Sequence, residues 1–599
     1  MVVNYLRKLI SILSKREKKQ LIIVLLMMIL GAFAEIVSIG VLPAFIAAVT
    51  KPDVLNNFPV IQEILKKVGV TNSEKLLLYG SVFMIVIFLL KNGYLTFLTY
   101  YKSKVVYDIQ LRMSHDLFSA YLKAPYTFHL NRNSSELLGN VYDCVKIIVA
   151  GVIMPFITIV MEVLLLISII VLLFSVEPII TLITVAVFGL SGYIYLKSTK
   201  KSSVNFGKEL QKLRDVVYKV VTEGLVGLKD ARVLNREDFF IQNFYTSSKK
   251  NANGLMHQSF LNGLTKPILE TIAMIVMLSI TVALVLRSND LSGILPALAL
   301  FGFASIRLMP SISQILGCFS SLRFSSPAIN PVWKDLHYLK AQKEIQYKNH
   351  NQAANITLNK QIEFNKVIYH YPESPEPSLI NVNLSIPSGK SIAFVGSSGA
   401  GKTTMVDLIL GLLNPSDGRI TADGIDIHTN IQTWQKQIGY IPQHIFLADN
   451  SIRNNIAFGM PDHEIDNDKV WQALKLAHLD TLVHELPEGL ETQIGERGVR
   501  FSGGQRQRIG IARALYHDPK ILVMDEATSA LDNITERSIV QEIEALKGNR
   551  TIIVIAHRLT TVMNCDTIYF MDKGLIVDSG SYQELINKNE SFRKMALVD

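Results

Sequence analysis

The sequence predicts two domains of different class: an α-helical transmembrane domain of six helices, followed by an α/β P-loop nucleotide-binding domain. Three observations carry this. Residues 1–332 contain six long apolar runs. From about Ile356 the pattern changes to short β-like runs alternating with amphipathic helices. Within that second part, Gly396-Ser-Ser-Gly-Ala-Gly-Lys402-Thr403 satisfies the phosphate-loop pattern at every fixed position.

Composition agrees. A chain of 599 residues has room for two to four domains, and with 49% hydrophobic and only 19% charged residues a membrane portion is expected. The net charge of +9 could mean a nucleic acid or a membrane, so its placement decides. Cys144, Cys318 and Cys565 are far apart and have no metal or redox spacing. The opening residues lack the apolar core and small-residue cleavage site of a secretory signal.

The expected spans are 21–49, 76–100, 145–174, 179–196, 260–286 and 291–319. Lys and Arg crowd residues 1–20 and the loops at 101–144 and 197–259. The turn at 175–178 has none, and the turn at 287–290 has only Arg287. By the positive-inside rule the rich segments, the N-terminus among them, are cytoplasmic. Topology thus accounts for the charge, and no nucleic-acid partner is expected. Residues 53–70 carry apolar side chains at helical spacing and read as a helix on the outer membrane surface or an ordinary packed loop helix. The cytoplasmic loops are too long for turns and read as helices projecting past the membrane. Residues 333–355 turn polar and Lys-rich and read as the linker, leaving 356–599 for the nucleotide-binding domain.

The second domain has two elements for nucleotide chemistry. Ser391-Ile-Ala-Phe-Val395 reads as a buried strand and Thr404 to Gly411 as a helix, the context a phosphate loop requires. Gly396, Ser397, Ser398, Gly399, Ala400, Gly401, Lys402, Thr403 and Thr404 are the candidate ATP-binding residues. The glycines let backbone N–H groups close on phosphate oxygens at a helix N-terminus. Lys402 reaches the β- and γ-phosphates and the Thr403 hydroxyl is suited to Mg²⁺. Further on, Ile521-Leu-Val-Met524 is an apolar strand ending in Asp525 and Glu526. Asp525 is the second candidate Mg²⁺ ligand, and Glu526 the group that polarises the attacking water.

Between these elements lies Phe501-Ser502-Gly503-Gly504-Gln505. Here the sequence resembles the ATP-binding cassette (ABC) family, whose signature is Leu-Ser-Gly-Gly-Gln; Phe501 replaces the usual Leu. The resemblance implies an exporter-type half-transporter that works as a homodimer. Ser502, Gly503, Gly504 and Gln505 would close on ATP held by the partner's phosphate loop. It implies that Tyr371 stacks on adenine and that Gln443 senses Mg²⁺ and links to the membrane helices. It also implies that Asp532 touches the opposite subunit and that His557 contacts the γ-phosphate. Short coupling helices are expected at about 106–116 and 225–240.

Basic groups inside spans are costly and mark function, and Lys91, Lys266 and Arg307 lie in three different spans. They read as one anion-binding cavity, or else Lys91 or Lys266 snorkels or pairs with Glu35, Glu162 or Glu270. Leu291-Ser-Gly-Ile-Leu and Ser305-Ile-Arg-Leu-Met-Pro-Ser311 are similar to the lipid-linked oligosaccharide flippases of bacterial protein N-glycosylation. That similarity implies a polyisoprenyl-pyrophosphate-linked glycan as cargo, with Arg307 and the two lysines on its pyrophosphate. The alternatives are an exporter of drugs, lipid A-type lipids or peptides, or a nucleotide-gated sensor or channel.

Overall fold

A computed structural model describes residues 2–50, 73–176, 178–287, 291–349, 355–372, 374–525, 541, 544, 547–556 and 559–596. The expected surface helix at 53–70 and the residues Glu526, Asp532 and His557 lie outside them. Contacts divide the chain into two compact units: Met1–Ala124 with Arg132–Gln342, and Pro125–Asn131 with Lys343–Asp599.

The described residues of the first unit form helices joined by short turns. Its helices are α1 (Val2–Ile12), α2 (Lys15–Thr50), α3 (Ser73–Leu122), α5 (Ser134–Gly139), α6 (Val145–Ile148), α7 (Met154–Val176), α8 (Pro178–Val226), α9 (Leu228–Val233), α10 (Glu237–Arg287), α11 (Leu291–Ser325) and α12 (Ile329–Asn349). The short helix α4 (Tyr126–Leu130) belongs to the second unit. Among the described residues, five helical stretches are long and apolar enough to cross a membrane. Helices α3, α8 and α10 contain 50, 49 and 51 residues. At about 1.5 Å per residue each is some 75 Å long, more than twice a hydrocarbon core of about 30 Å. Each span therefore continues well past the bilayer. The predicted linker is mostly helical, since α12 runs through Asn349. Phe188, Leu269, Ala273 and Leu316 form a core that joins α8, α10 and α11. Two π-helical turns, Asn140–Cys144 and Val149–Ile153, interrupt the run from α5 to α7.

The expected coupling helix at 106–116 is not a short element. Those residues lie inside α3, because the helical pattern runs on to Leu122 and the first break is Pro125. The short helix that follows is α4. The second expected segment, 225–240, does contain the short helix α9.

The described residues of the second unit include two sheets. A four-stranded antiparallel sheet has the order β2 (Leu379–Pro387), β1 (Gln361–Tyr369), β4 (Asp417–Ala422), β5 (Ile425–Asp426). A six-stranded sheet has the order β10 (Leu575–Gly580), β9 (Thr567–Asp572), β3 (Ser391–Gly396), β8 (Thr551–Ile555), β7 (Ile521–Asp525), β6 (Ile438–Ile441). From β9 to β6 every pairing is parallel, and β10 is antiparallel at the edge. β3 and β7 are buried at every position, as strands covered on both faces must be.

Candidate functional site

The parallel register sets the site. Phe394 of β3 and Asp525 of β7 are both level with Ile555 of β8, and Met524 is level with Ile441 of β6. The phosphate loop, Asp525 and the loop carrying Gln443 therefore leave the carboxyl edge of one sheet side by side. In open α/β sheets that edge is where ligands bind. Gln443 is exposed in the bend beyond β6.

The loop is built so that glycine is required. Gly396 ends β3 beside Met571, and a Cβ there would come within 2.1 Å of the Met571 carbonyl oxygen. Gly401 caps α13 (Lys402–Ile409) with φ +98°, a left-handed conformation that L side chains rarely adopt. Lys402 is only 6% exposed, and its Nζ donates to the carbonyls of Gly396 at 2.8 Å and Ser397 at 2.9 Å. The ammonium is thus folded along the inner wall of the loop it serves. Ser397, Ser398, Gly399 and Thr403 are exposed and Ala400 is buried, so a phosphate group meets the loop's open side.

Tyr371 is half-buried, packs edge-on against Tyr369, and exchanges a hydrogen bond of 3.1 Å with the Thr404 hydroxyl. Thr404 is buried, so its hydroxyl serves the tyrosine. The expected adenine-stacking ring is thus tied directly to the phosphate-loop helix. Burial raises the Tyr371 phenol above its usual pKa, which keeps it neutral.

Asp525 is buried at the end of β7. Sequence reading missed its neighbour Asp407, on α13. Burial, aided by the Asp525 charge, pushes the Asp407 carboxyl up to about 6. Its only local signal was an acid set among the apolar Met405, Val406, Leu408 and Ile409 of α13. Asp407 and Asp525 thus lie within electrostatic reach of each other, and Thr403 is exposed beside Lys402; Thr403 and Asp525 carry oxygen donors of the kind Mg²⁺ takes.

Ser502 caps α14 (Gly503–Leu515) in a reciprocal box: its Oγ accepts from Gln505 N at 3.2 Å, and its N–H donates to Gln505 Oε1 at 2.8 Å. Ser502 is exposed, while Phe501 is buried in a core that helices form with one face of the six-stranded sheet. An apolar side chain is what that first position needs. The loop helix α13 packs into a different core, through Met405, Val406 and Leu408.

Of the expected cavity cations, Lys91 and Lys266 each lie beside an acidic side chain. Lys91 Nζ lies 3.2 Å from Glu35 Oε2, with both side chains largely buried, and donates to Ser38 Oγ at 3.4 Å. Lys266 is 77% exposed along its side chain and sits 3.9 Å from Glu270, one turn along α10. Arg307 lies on α11, and its side chain is outside the described residues.

A phosphate loop at the head of a parallel sheet, joined in one chain to membrane-spanning helices, defines an ATP-driven membrane translocase. The chain belongs to the ABC transporter family: residues 21–303 match the ABC transporter transmembrane region and residues 379–529 match the ABC transporter domain. It is 30% identical over 556 residues to the ATP-dependent lipid A-core flippase of Idiomarina loihiensis, covering 88% of this chain and 89% of that one. The corresponding flippase of Cupriavidus pinatubonensis is 30% identical over 497 residues, 82% of each chain. The heterocyst differentiation ATP-binding protein HepA of Nostoc sp. is 37% identical over 375 residues, 62% of this chain and 59% of that relative. The solved structure of a bacterial Atm1-family ABC exporter with ATP bound superposes with a TM-score of 0.74 at 21% identity, covering 98% of this chain and 99% of that one. The protein is an integral membrane ABC exporter that binds ATP and couples its hydrolysis to translocation.

Proposed function

We propose that the protein is a homodimeric flippase that uses Mg·ATP to move a phosphoglycolipid, a lipid whose sugar head group carries phosphate, across a bacterial inner membrane. The observation that carries this is the similarity to lipid A-core flippases along the membrane half as well as the ATP-binding half, over 82–89% of both chains. Lipid A-type lipids are therefore the first cargo. The polyisoprenyl-pyrophosphate-linked oligosaccharide is the second, favoured by the residues around Arg307; it shares the same chemistry of phosphate, sugar and long lipid.

The layout of the ATP-binding domain supports the dimer. One chain has one phosphate loop and one Ser502-capped helix, packed in different cores of the same domain. Two chains facing each other complete two sites, each with Lys402 from one and Ser502 from the other. Mg²⁺ held by Thr403 and Asp525, with Gln443 close by, neutralises phosphate charge when bound. Glu526, directly after Asp525, orients the attacking water, His557 holds the γ-phosphate, and Asp532 lies at the subunit boundary. The Lys and Arg distribution puts the N-terminus and the ATP-binding domain in the cytoplasm.

The test is reconstitution in proteoliposomes, with the two cargoes supplied separately. The lipid A reading expects ATP-dependent loss of lipid A from the leaflet facing the ATP-binding domains, and faster hydrolysis when lipid A is present. Transport of the pyrophosphate-linked glycan alone would move the assignment to the second cargo. Transport of neither, with intact hydrolysis, would refute the phosphoglycolipid class.

A further inference from the structure

The chain passes between the two compact units three times: at Ala124/Pro125, at Asn131/Arg132 and at Gln342/Lys343. One buried side chain gathers residues beside all three crossings. Asp335, on α12 shortly before the third crossing, is 1% exposed. The Tyr121 hydroxyl, near the end of α3 and just before the first crossing, donates to Asp335 Oδ2 at 2.6 Å. Arg132, the residue after the second crossing, places Nη2 at 3.1 Å from Asp335 Oδ1 and Nη1 at 3.4 Å from Oδ2. Asn140, on the first π-helical turn, donates through Nδ2 to Asp335 Oδ2 at 3.4 Å and to the Tyr121 hydroxyl at 3.3 Å.

A buried ion pair is seldom the most stable way to fill a core, since apolar side chains of similar volume usually do as well. What it provides is direction: both carboxylate oxygens are engaged, and their donors come from fixed angles. The segment bracketed by Tyr121 and Arg132 is α4, which packs as part of the ATP-binding unit. There Tyr126 lies within electrostatic reach of Tyr371 and Tyr440.

We propose that Asp335 is a positioning residue for ATP-driven translocation: it binds both stems of α4 to the helix that leads to the ATP-binding domain, so that the three connections move as one piece. This goes beyond the cargo assignment and does not depend on it.

The experiment uses full-length protein in nanodiscs without added cargo, and compares Asp335→Asn, Tyr121→Phe, Arg132→Gln and Arg132→Lys. Amide hydrogen exchange is read at 126–130 and at 402–409, together with KM and kcat for ATP. In Asp335→Asn, exchange at 126–130 is expected to rise about fivefold or more while that at 402–409 changes less than about twofold. KM for ATP should stay within about twofold while kcat falls about threefold or more, because the binding residues are untouched and only their coupling to α4 is lost. Arg132→Gln should behave as Asp335→Asn does, and Arg132→Lys, which keeps the charge but loses the fork that engages both oxygens, should recover only part of kcat. If Asp335→Asn does not fold, Tyr121→Phe decides, since it removes one hydroxyl and should show the same pattern at smaller amplitude. Unchanged exchange at 126–130 overturns the proposal. So does acceleration spread evenly over α3, α4 and α12, which would mark Asp335 as ordinary core.

Discussion

Removing Lys91 alone should damage the protein more than removing Lys91 and Glu35 together. The pair is 3.2 Å apart, with side chains only 11% and 7% exposed. At an effective dielectric near 20 its Coulomb attraction is about 5 kcal/mol, against a desolvation cost of several kcal/mol per ion, so the intact pair comes out near balance. Lys91→Met takes the neighbouring cation away from a buried carboxyl group, at a cost of about 3–5 kcal/mol. Glu35→Gln with Lys91→Met removes both charges and should be close to neutral. The assay is thermal unfolding of the purified full-length protein, with midpoints compared across the single and double variants, and lipid flipping measured on the same samples. The expected order is the single variant far below a double variant that resembles wild type and still flips. If the single variant melts with wild type, the pairing argument fails. If the double variant is stable but no longer flips, Lys91 serves the cargo, as the first reading of its position held.

Glu526→Gln should retain ATP binding and lose most hydrolysis, about a hundredfold or more for a group acting on the attacking water; near-normal ATPase activity in the purified variant would remove Glu526 from that role. In mixed dimers, Lys402→Ala on one chain and Ser502→Arg on the other should spoil one shared site and spare the second. Both changes on one chain should spoil both sites, and equal activity of the two arrangements would contradict the shared-site geometry. Asp407 gives a pH test. Its carboxyl is raised from 3.8 to about 6 by burial, with help from Asp525, so the folded state disfavours its charged form. The corresponding stability is present below about pH 4 and is lost as pH rises through about 6. Asp407→Asn should therefore gain melting temperature over wild type at pH 7 but not at pH 4, and Mg·ATP should narrow the gap. An equal difference at both pH values would contradict this.

Much of this protein was legible in sequence order, because the features concerned are local. The phosphate loop is a contiguous run whose glycines answer to backbone geometry, as the 2.1 Å approach at Gly396 and the φ of +98° at Gly401 require. The buried strands before Gly396 and Asp525 were legible as apolar runs, and the long helices as spans whose helical character continued beyond them. Other features needed the tertiary structure. Nothing local marks Asp335, whose partners lie 195 to 214 residues away. The position of α4 was misplaced because helical periodicity runs unbroken through 106–116 and only Pro125 stops it. The three cationic positions could be counted from sequence, but not whether they meet. Lys91 faces Glu35 across two helices, and Lys266 sits outward beside Glu270. The physical reason is that lipid and protein interior are equally apolar, so hydropathy cannot tell a helix which face to bury. On α3 alone, Leu98 is 1% exposed and Leu89 is 67% exposed, and only the packing of neighbouring helices separates them.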